Sequence, residues 1–286
     1  MDAVVVGVGG AGPSGAALRW ALEFARAHRL PVELVAVVEP PRARLRGADA
    51  GQRVLADDAL DRARSLAASD FPDVPVRARP LQGDLVPVLA EAAPPGALLV
   101  LGAHPLSRRA VARSAPVAVR VAAASRSAVA LIPEPDGDEP IRSGVAVGVD
   151  GSEVSLTAIR FAADEADRRH EPLLALHAWQ LPGTWSDSTP VERRVIDAIE
   201  EDEDLLLAES LVGLGDSHPD LEVRRSLVRG NPVERLTALA ASSRLLVLGS
   251  HGRGAFLRLL LGSVSHSLAL TVPGPLIVLR HPERAR

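Results

Sequence analysis

The feature that most constrains the fold of this 286-residue chain is an internal repeat. The run Val4–Val8 returns as Val145–Val149, and Leu99–Gly102 returns as Leu246–Gly249. Three further pairs keep the same order along the chain: Ala17–Ala21 with Ala158–Ala162, Gly83–Val86 with Gly230–Val233, and Ala130–Ile132 with Ile277–Leu279. The offset is 141 residues for the early pairs and 147 for the later ones, so the second half contains a six-residue insertion. We therefore predict two homologous domains, residues 1–133 and 142–286, joined by a polar, proline-rich linker.

Each half alternates short apolar runs with amphipathic stretches, a pattern typical of strands separated by helices. The elements predicted in the second half are strand one Val145–Val149, a helix Ser152–Arg169, strand two Leu173–Trp179, a helix Pro190–Leu214, strand three Leu221–Val228, a helix Pro232–Ala241, strand four Leu245–Leu248, a helix Ser263–Thr271 and strand five Leu276–Leu279. Short, continuously apolar strands indicate burial on both faces, as in a parallel sheet. We therefore expect an α/β fold of two tandem Rossmann-like, doubly wound domains, each with a five-stranded parallel sheet in the order 3-2-1-4-5. A ligand would then bind beyond the carboxyl ends of strands one and four.

The last strand of each half would form an apolar sheet edge. Ala128–Ile132 and Leu276–Leu279 would otherwise expose unpaired backbone groups together with apolar side chains. We therefore expect the two domains to pack against each other through these strands.

The composition excludes several classes of function. The chain has no cysteine, and all 32 of its basic residues are arginine. Disulfides, thiolate metal sites, cysteine nucleophiles, Schiff-base lysines and phosphate-loop lysines are therefore absent. The net charge of −4 gives no electrostatic basis for binding nucleic acid. The chain begins without the basic segment of a signal peptide, and its longest uncharged stretch is interrupted by glycine, serine and proline, so we expect no membrane association and a cytoplasmic location.

Glycines cluster after predicted strand four and again before the last helix. Gly249, Gly252 and Gly254 follow the strand, and Gly262-Ser263 opens the helix after nine intervening residues past Gly252. Glycine lets the backbone approach a phosphate closely, and a helix N-terminus offers free N–H groups and a partial positive charge. Ser263 can bond a phosphate or cap the helix, and Arg253 can neutralise phosphate charge. We interpret the two clusters as one anion cradle, although any single glycine could equally form an ordinary turn.

Asp150 follows strand one, where a carboxylate can bond a ribose hydroxyl or help to hold Mg²⁺. The alternative is a helix N-cap, and the two roles are compatible. His251 lies within the glycine loop and can either approach a nucleotide or be a plain loop residue. We interpret His177, in strand two, as a core or pocket-wall histidine. The acidic run Glu200–Asp204 predicts a solvated helix face, with binding of a basic partner as the alternative.

These residues carry a resemblance to a known family. The spacing of Gly249, Gly252 and Gly262-Ser263 resembles the ATP-binding motif of the universal stress protein family, and Val145–Ser152 is similar to that family's opening strand with its Asp-Gly-Ser turn. The similarity covers both halves, so the chain resembles a tandem member of actinobacterial type. The resemblance implies ATP and Mg²⁺ between strands one and four, domain pairing through strand five, and an adenine contact near Ala178. The implied binding residues are Gly148, Asp150, Ala178, Gly249, His251, Gly252, Arg253, Gly254, Gly262, Ser263 and Val264, with Asp150 also as the metal ligand.

The first half departs from this pattern. Gly9 stands at the position of Asp150, and Gly102 is kept, but Pro105 and Ala115 replace the later glycines and Pro116 follows. Proline removes a backbone donor, and alanine adds a Cβ where a phosphate would approach. Between them lie three arginines that could attract an anion or simply be solvated: Arg108, Arg109 and Arg113. We predict that the first domain is a degenerate copy that keeps the fold and has lost ATP.

The favoured function is that of an ATP-binding regulatory protein in a stress response, with the nucleotide in the second domain. Asp150 is the only candidate general base, so we expect binding without efficient turnover. There are two alternatives. The protein could be a slow ATPase or phosphotransferase, or it could be a structural module that ATP stabilises. The partners considered are ATP, an unidentified protein and a second copy of the chain as a homodimer.

Overall fold

Strands and helices alternate through both halves of the chain in the computed structural model, which describes residues 1–9, 15–40, 48–103, 115–134, 141–181, 192–252 and 261–280. The elements of the first half are β1 (Val4–Gly7), α1 (Gly15–His28), β2 (Val32–Val38), α2 (Ala48–Asp70), β3 (Val76–Gln82), α3 (Leu85–Ala92), β4 (Leu98–Ala103), α4 (Val117–Ala124) and β5 (Ala128–Pro133). Those of the second half are β6 (Val145–Gly148), α5 (Glu153–Arg169), β7 (Leu173–Trp179), α6 (Arg193–Ser210), α7 (Leu214–Ser217), β8 (Val223–Arg229), α8 (Pro232–Ser242), β9 (Leu245–Gly249), α9 (Ser263–Thr271) and β10 (Leu276–Leu279).

One helix differs from the prediction. The expected helix Pro190–Leu214 is divided, because α6 ends at Ser210 and the short α7 begins at Leu214. Gly213 lies between them with φ at +84°, a left-handed conformation that interrupts a right-handed helix and that glycine adopts without strain. The predicted start of this helix, residues 190–191, lies outside the described part of the chain.

The strand order 3-2-1-4-5 is confirmed in each half. The two five-stranded sheets are continuous, giving one ten-stranded sheet in the order β3-β2-β1-β4-β5-β10-β9-β6-β7-β8. Neighbouring strands within each half are parallel. The strand order reverses between β1 and β4 and again between β6 and β9, so each half has its own switch point for a ligand.

The central strands are apolar because both faces of the sheet are covered. Residues of β1, β4, β6 and β9 are buried on both sides. One core layer packs α1, α2, α5 and α6 against the sheet, and the other packs α3, α4, α8 and α9. This two-layer burial explains why the strands appear in the sequence as unbroken apolar runs.

The two halves join where the sequence predicted. Strands β5 and β10 pair in antiparallel fashion, with Ile277 opposite Ala130 and Val278 opposite Val129. Ile277 and Val129 are almost fully buried. The side chain of Arg280, at the end of β10, donates to the carbonyl oxygens of Ala122 and Ala123 at the end of α4. The predicted packing through the last strands is therefore confirmed.

A second contact between the halves joins α1 to α5. The rings of Phe24 and Phe161 stack with centroids 6.5 Å apart. Beside them, Nε2 of His28 lies 2.6 Å from Oε1 of the fully buried Glu165, whose Oε2 accepts from Arg169 at 2.8 Å. Burial acts to raise the pKa of Glu165, but His28, Arg169 and Arg168 outweigh it and hold that pKa below its usual value. A buried charge network thus spans the interface.

Among the described residues, no helix has both the length and the apolar character that crossing a bilayer requires.

Candidate functional site

A pocket opens at the carboxyl ends of β6 and β9, the switch point of the second half. Nine of the residues predicted from sequence line it together: Gly148, Asp150, Ala178, Gly249, His251, Gly252, Gly262, Ser263 and Val264. The other two, Arg253 and Gly254, lie outside the described residues. Four segments therefore meet at one place: the loop after β6, the strand β7, the loop after β9 and the start of α9. Val264 lies 116 positions after Gly148 in the sequence.

The Asp-Gly-Ser turn places Asp150 at the mouth of the pocket. Asp150 Oδ1 accepts a hydrogen bond from the Ser152 N–H at 2.9 Å, and the Asp150 N–H donates to Ser155 Oγ at 3.1 Å. Ser152 rather than Asp150 caps α5, because its Oγ accepts from the Ser155 N–H at 3.2 Å. Gly151 has φ at +75°, which favours glycine at the centre of the turn. The turn thus fixes the Asp150 backbone and one carboxylate oxygen.

Three glycines of the pocket lie close against neighbouring side chains, which would have to shift if a Cβ were added. A Cβ on Gly148 would lie 2.6 Å from Leu248 Cδ2, and a Cβ on Gly249 would lie 2.8 Å from Val154 Cγ1. A Cβ on Gly252 would collide with Oδ2 of Asp150. Gly252 and Asp150 therefore pack directly against each other, and the two halves of the predicted motif are in contact.

The start of α9 forms another part of the pocket wall. Gly262 is its N-cap, and the Gly262 N–H donates to Ser250 O at 2.6 Å, closing the loop that follows β9. Ser263, Val264 and Ser265 of the first turn line the pocket. First-turn N–H groups have no acceptor within their own helix and carry the positive end of the helix dipole. This wall is therefore suited to an anion.

Few titratable groups are found in the described lining of the pocket. Among its described lining residues, Asp150 and His251 are the only titratable ones. His251 Nδ1 lies 3.0 Å from Ser250 Oγ. No group of three or more His, Asp or Glu side chains that could hold a metal ion is found in the described parts of the chain. A divalent cation at Asp150 would therefore need further ligands from a bound phosphate or from water.

An apolar surface completes the pocket, and the sequence interpretation found only part of it. It consists of Val149, Leu176, Ala178, Pro232, Leu236 and Leu248. Strand alternation could have identified Leu176, because it lies on the same face of β7 as the predicted Ala178. Pro232 and Leu236 come from α8, and no sequence motif marked them. Flat apolar surfaces of this kind suit the face of a nucleobase.

The matching position in the first half differs in its described residues. Gly9, at the place of Asp150, is exposed and has no carboxylate. Helix α4 begins at Val117 with Pro116 as its N-cap, so the position that matches Ser263 has no N–H group. Pro105 and the arginines Arg108, Arg109 and Arg113 lie outside the described residues.

Comparison with known proteins agrees with the repeat. The family model described as "Universal stress protein family" matches the chain twice, at residues 1–133 and 144–280. The chain belongs to the universal stress protein family. Its two halves are both universal stress protein domains, and the sequence resemblance is thereby confirmed.

Relatives share the tandem arrangement along their whole length. Universal stress protein Rv1996 of Mycobacterium tuberculosis is 32% identical over 308 residues, covering 98% of this chain and 95% of the relative. Universal stress protein Rv2005c of the same organism is 34% identical over 294 residues, covering 97% and 96%. A universal stress protein structure from Pseudomonas aeruginosa aligns over 98% of this chain and 93% of its own, with a TM-score of 0.62 and 15% identity, and so supports the fold.

Proposed function

We propose that the second half of this universal stress protein binds ATP with Mg²⁺, and that this binding regulates the protein in a stress response. The observation that carries the proposal is the set of residues that line one pocket. The first turn of α9, Asp150 and an apolar surface all contribute to its lining. A triphosphate, a metal ion and a nucleobase would each find suitable groups in such a pocket.

Each lining residue has a proposed role. The N–H groups of Ser263 and Val264 would bind the phosphates, with Gly249, Gly252 and Gly262 keeping that approach open. Asp150 would bond a ribose hydroxyl or Mg²⁺, and Gly148 and Ala178 would lie against the nucleoside. His251, Arg253 and Gly254 belong to the same glycine loop in the sequence and would cover the phosphates.

The two domains are proposed to differ in ATP binding. Residues 142–286 would carry the ATP site, and residues 1–133 would be a degenerate copy. Gly9 removes the carboxylate, and Pro116 removes a phosphate-binding N–H group. The protein would act in the cytoplasm, where ATP and Mg²⁺ are supplied, and a protein partner or a second copy of the chain would respond to its nucleotide state.

The groups near the pocket favour ATP binding without efficient ATP hydrolysis. Phosphoryl transfer needs a group that positions the attacking water or hydroxyl. Asp150 already accepts from Ser152, and His251 already contacts Ser250. A slow ATPase or phosphotransferase is the second candidate, resting on the nearness of Asp150 to the anion wall. A structural module stabilised by ATP is the third.

Calorimetric titration of the full chain with ATP and Mg²⁺ tests the proposal. We expect one ATP per chain, and two sites of equal affinity would contradict the assignment to the second half. Phosphate release under saturating ATP distinguishes an enzyme from a binding protein. If ATP changes the binding of a partner, a regulatory role is supported over a structural one. Absence of any heat or copurified nucleotide would overturn the proposal.

A further inference from the structure

A histidine and a carboxylate are paired directly behind the pocket. His177 lies on the face of β7 opposite to Leu176 and Ala178, and its side chain is only 5% exposed. Its Nδ1 is 2.7 Å from the carbonyl oxygen of Val149, and its Nε2 is 2.7 Å from Oε2 of Glu203 on α6. Glu203 belongs to the acidic run that the sequence predicted to be a solvated helix face. This member of the run contacts the interior instead.

The carbonyl contact fixes which ring nitrogen donates. A carbonyl oxygen only accepts, so Nδ1 must donate to Val149. Nε2 then faces Oε2 of Glu203 at 2.7 Å, and a proton on either the ring or the carboxyl completes that hydrogen bond. The two contacts together hold the ring between Val149 and α6.

Other charged groups of the packed elements have partners of their own. Asp204 of α6 lies 3.5 Å from Arg225 of β8, and the guanidinium of Arg229 lies 5.7 Å from the ring centroid of Trp179. The residues of α5 that belong to this core layer are Ala158, Ile159, Ala162, Ala163 and Ala166. Within these described surroundings, Glu203 is thus the carboxylate that contacts His177.

The Val149 carbonyl is the last backbone group before the Asp150 turn. Regular pairing of β6 with β7 ends at Gly148 opposite Leu176, and the Val149 N–H still donates to Leu176 O at 2.9 Å. Beyond that point the His177 ring supplies the donor for Val149. His177 therefore ties the residue before Asp150 to β7, the strand that also carries Ala178.

We propose that His177, oriented by Glu203, is a positioning residue for the nucleotide site. It anchors Val149, and through Val149 it holds the Asp150 turn against the pocket. As far as nucleotide affinity is concerned, this inference rests on the proposed function. The order of the turn itself can be measured without any ligand.

Three variants test the role. His177→Leu removes both contacts and keeps an apolar core side chain, and we expect about a tenfold loss of ATP affinity, as is common when a supporting contact behind a site is removed. Glu203→Gln keeps a hydrogen-bond partner for a neutral ring, so affinity should stay near that of the parent. His218→Leu is the matched control, because His218 is paired with Asp164 at 2.9 Å and does not line the pocket. Its ATP affinity should equal that of the parent.

Comparison of the variants separates positioning from general stability. Thermal unfolding shows whether His177→Leu and His218→Leu are folded at the temperature of the titration. We expect folded His177→Leu to lose ATP affinity, while Glu203→Gln and His218→Leu keep that of the parent. Unchanged affinity in His177→Leu would overturn the positioning role.

Two measurements are independent of nucleotide. The ¹⁵N signals of the His177 ring should show a proton on Nδ1, and an unprotonated Nδ1 would overturn the hydrogen bond to Val149. The Ser152 amide, which donates to Asp150 Oδ1, should exchange faster with solvent in His177→Leu than in the parent. Unchanged exchange there would refute the anchoring of the turn. If the parent binds no ATP, the proposed function fails, and these two measurements still decide the role of His177.

Discussion

Gly262 offers the sharpest test of the ATP site, because it lies where the glycine loop meets α9. A Cβ at this position would lie 3.2 Å from Ser250 O and 3.4 Å from His251 Cα, so a side chain fits with a shift of a few tenths of an ångström. Gly262 is also the N-cap of α9. An aspartate is a favourable N-cap, so Gly262→Asp should stay folded, with a gain in helix stability of up to about 1 kcal/mol that offsets the crowding.

The same aspartate should strongly oppose a bound triphosphate. Its carboxylate would occupy the helix N-terminus that the phosphates need, roughly 5 Å from their negative charge. At an effective dielectric constant of about 20, one pair of unit charges at that distance repels by about 3 kcal/mol. With solvent screening and lost N–H contacts, we expect a cost of about 2–4 kcal/mol, or roughly 30- to 1000-fold in affinity.

Two matched variants isolate the cause. Gly262→Asn has nearly the same shape and capping ability without the charge, and should lose no more than about tenfold. Ala115→Asp makes the corresponding change in the first half, and should leave ATP affinity within about twofold, because no phosphate is proposed there. Circular dichroism controls for folding.

The outcomes of the paired titrations are decisive. Equal losses in Gly262→Asp and Ala115→Asp would reveal two working sites. Full affinity in Gly262→Asp would mean that the glycine motif is only a turn, and the ATP assignment would fall with it.

Two further predictions concern the contact between the halves. Ile277→Asp should cost more than about 4 kcal/mol of unfolding free energy, because it buries an unpaired charge between β5 and β10. Urea unfolding measures this cost, and a variant as stable as the parent would contradict the interface. Glu165→Gln should cost about 3 kcal/mol at neutral pH, because Arg169 loses its buried counter-charge and the buried contact with His28 is weakened. The pKa of Glu165 is lower in the folded protein than its usual value of 4.5. The stability that the ionised Glu165 provides is therefore complete above pH 4.5 and is lost as the pH falls through the folded-state pKa. The unfolding free energies of parent and variant should then converge in acid.

The fold could be predicted because its strands are buried on both faces. Leu245–Leu248 and Val145–Val149 are uninterrupted apolar runs, and the repeat duplicates every such signal. The loop residues of the site, such as Gly249 and Gly262, could be predicted for a related reason. Loop positions after a parallel strand meet at the switch point whatever the details of helix packing.

Contacts made by the helix faces were harder to predict. Glu203 lies in a run of five acidic residues, and only the rotation of α6 decides which of them turns inward to His177, 26 positions earlier. Leu236 reaches the pocket because α8 packs over β6 and β7, which no local pattern specifies. The division of the predicted helix at Gly213 was missed because a single glycine within a helical pattern is often tolerated.

The antiparallel pairing of β5 with β10 has a consequence for how such a protein can change over time. In a symmetric pair of identical chains, every substitution appears in both partners, so neither site can alter without the other. Here the partners are encoded separately yet remain at a high effective concentration, since one chain carries both. Gly9 and Asp150 can therefore differ at equivalent positions while Val129 and Val278 still face each other across the same ladder. Covalent linkage of the two halves therefore lets the residues at their two sites differ, provided that each half keeps the residues that pair β5 with β10.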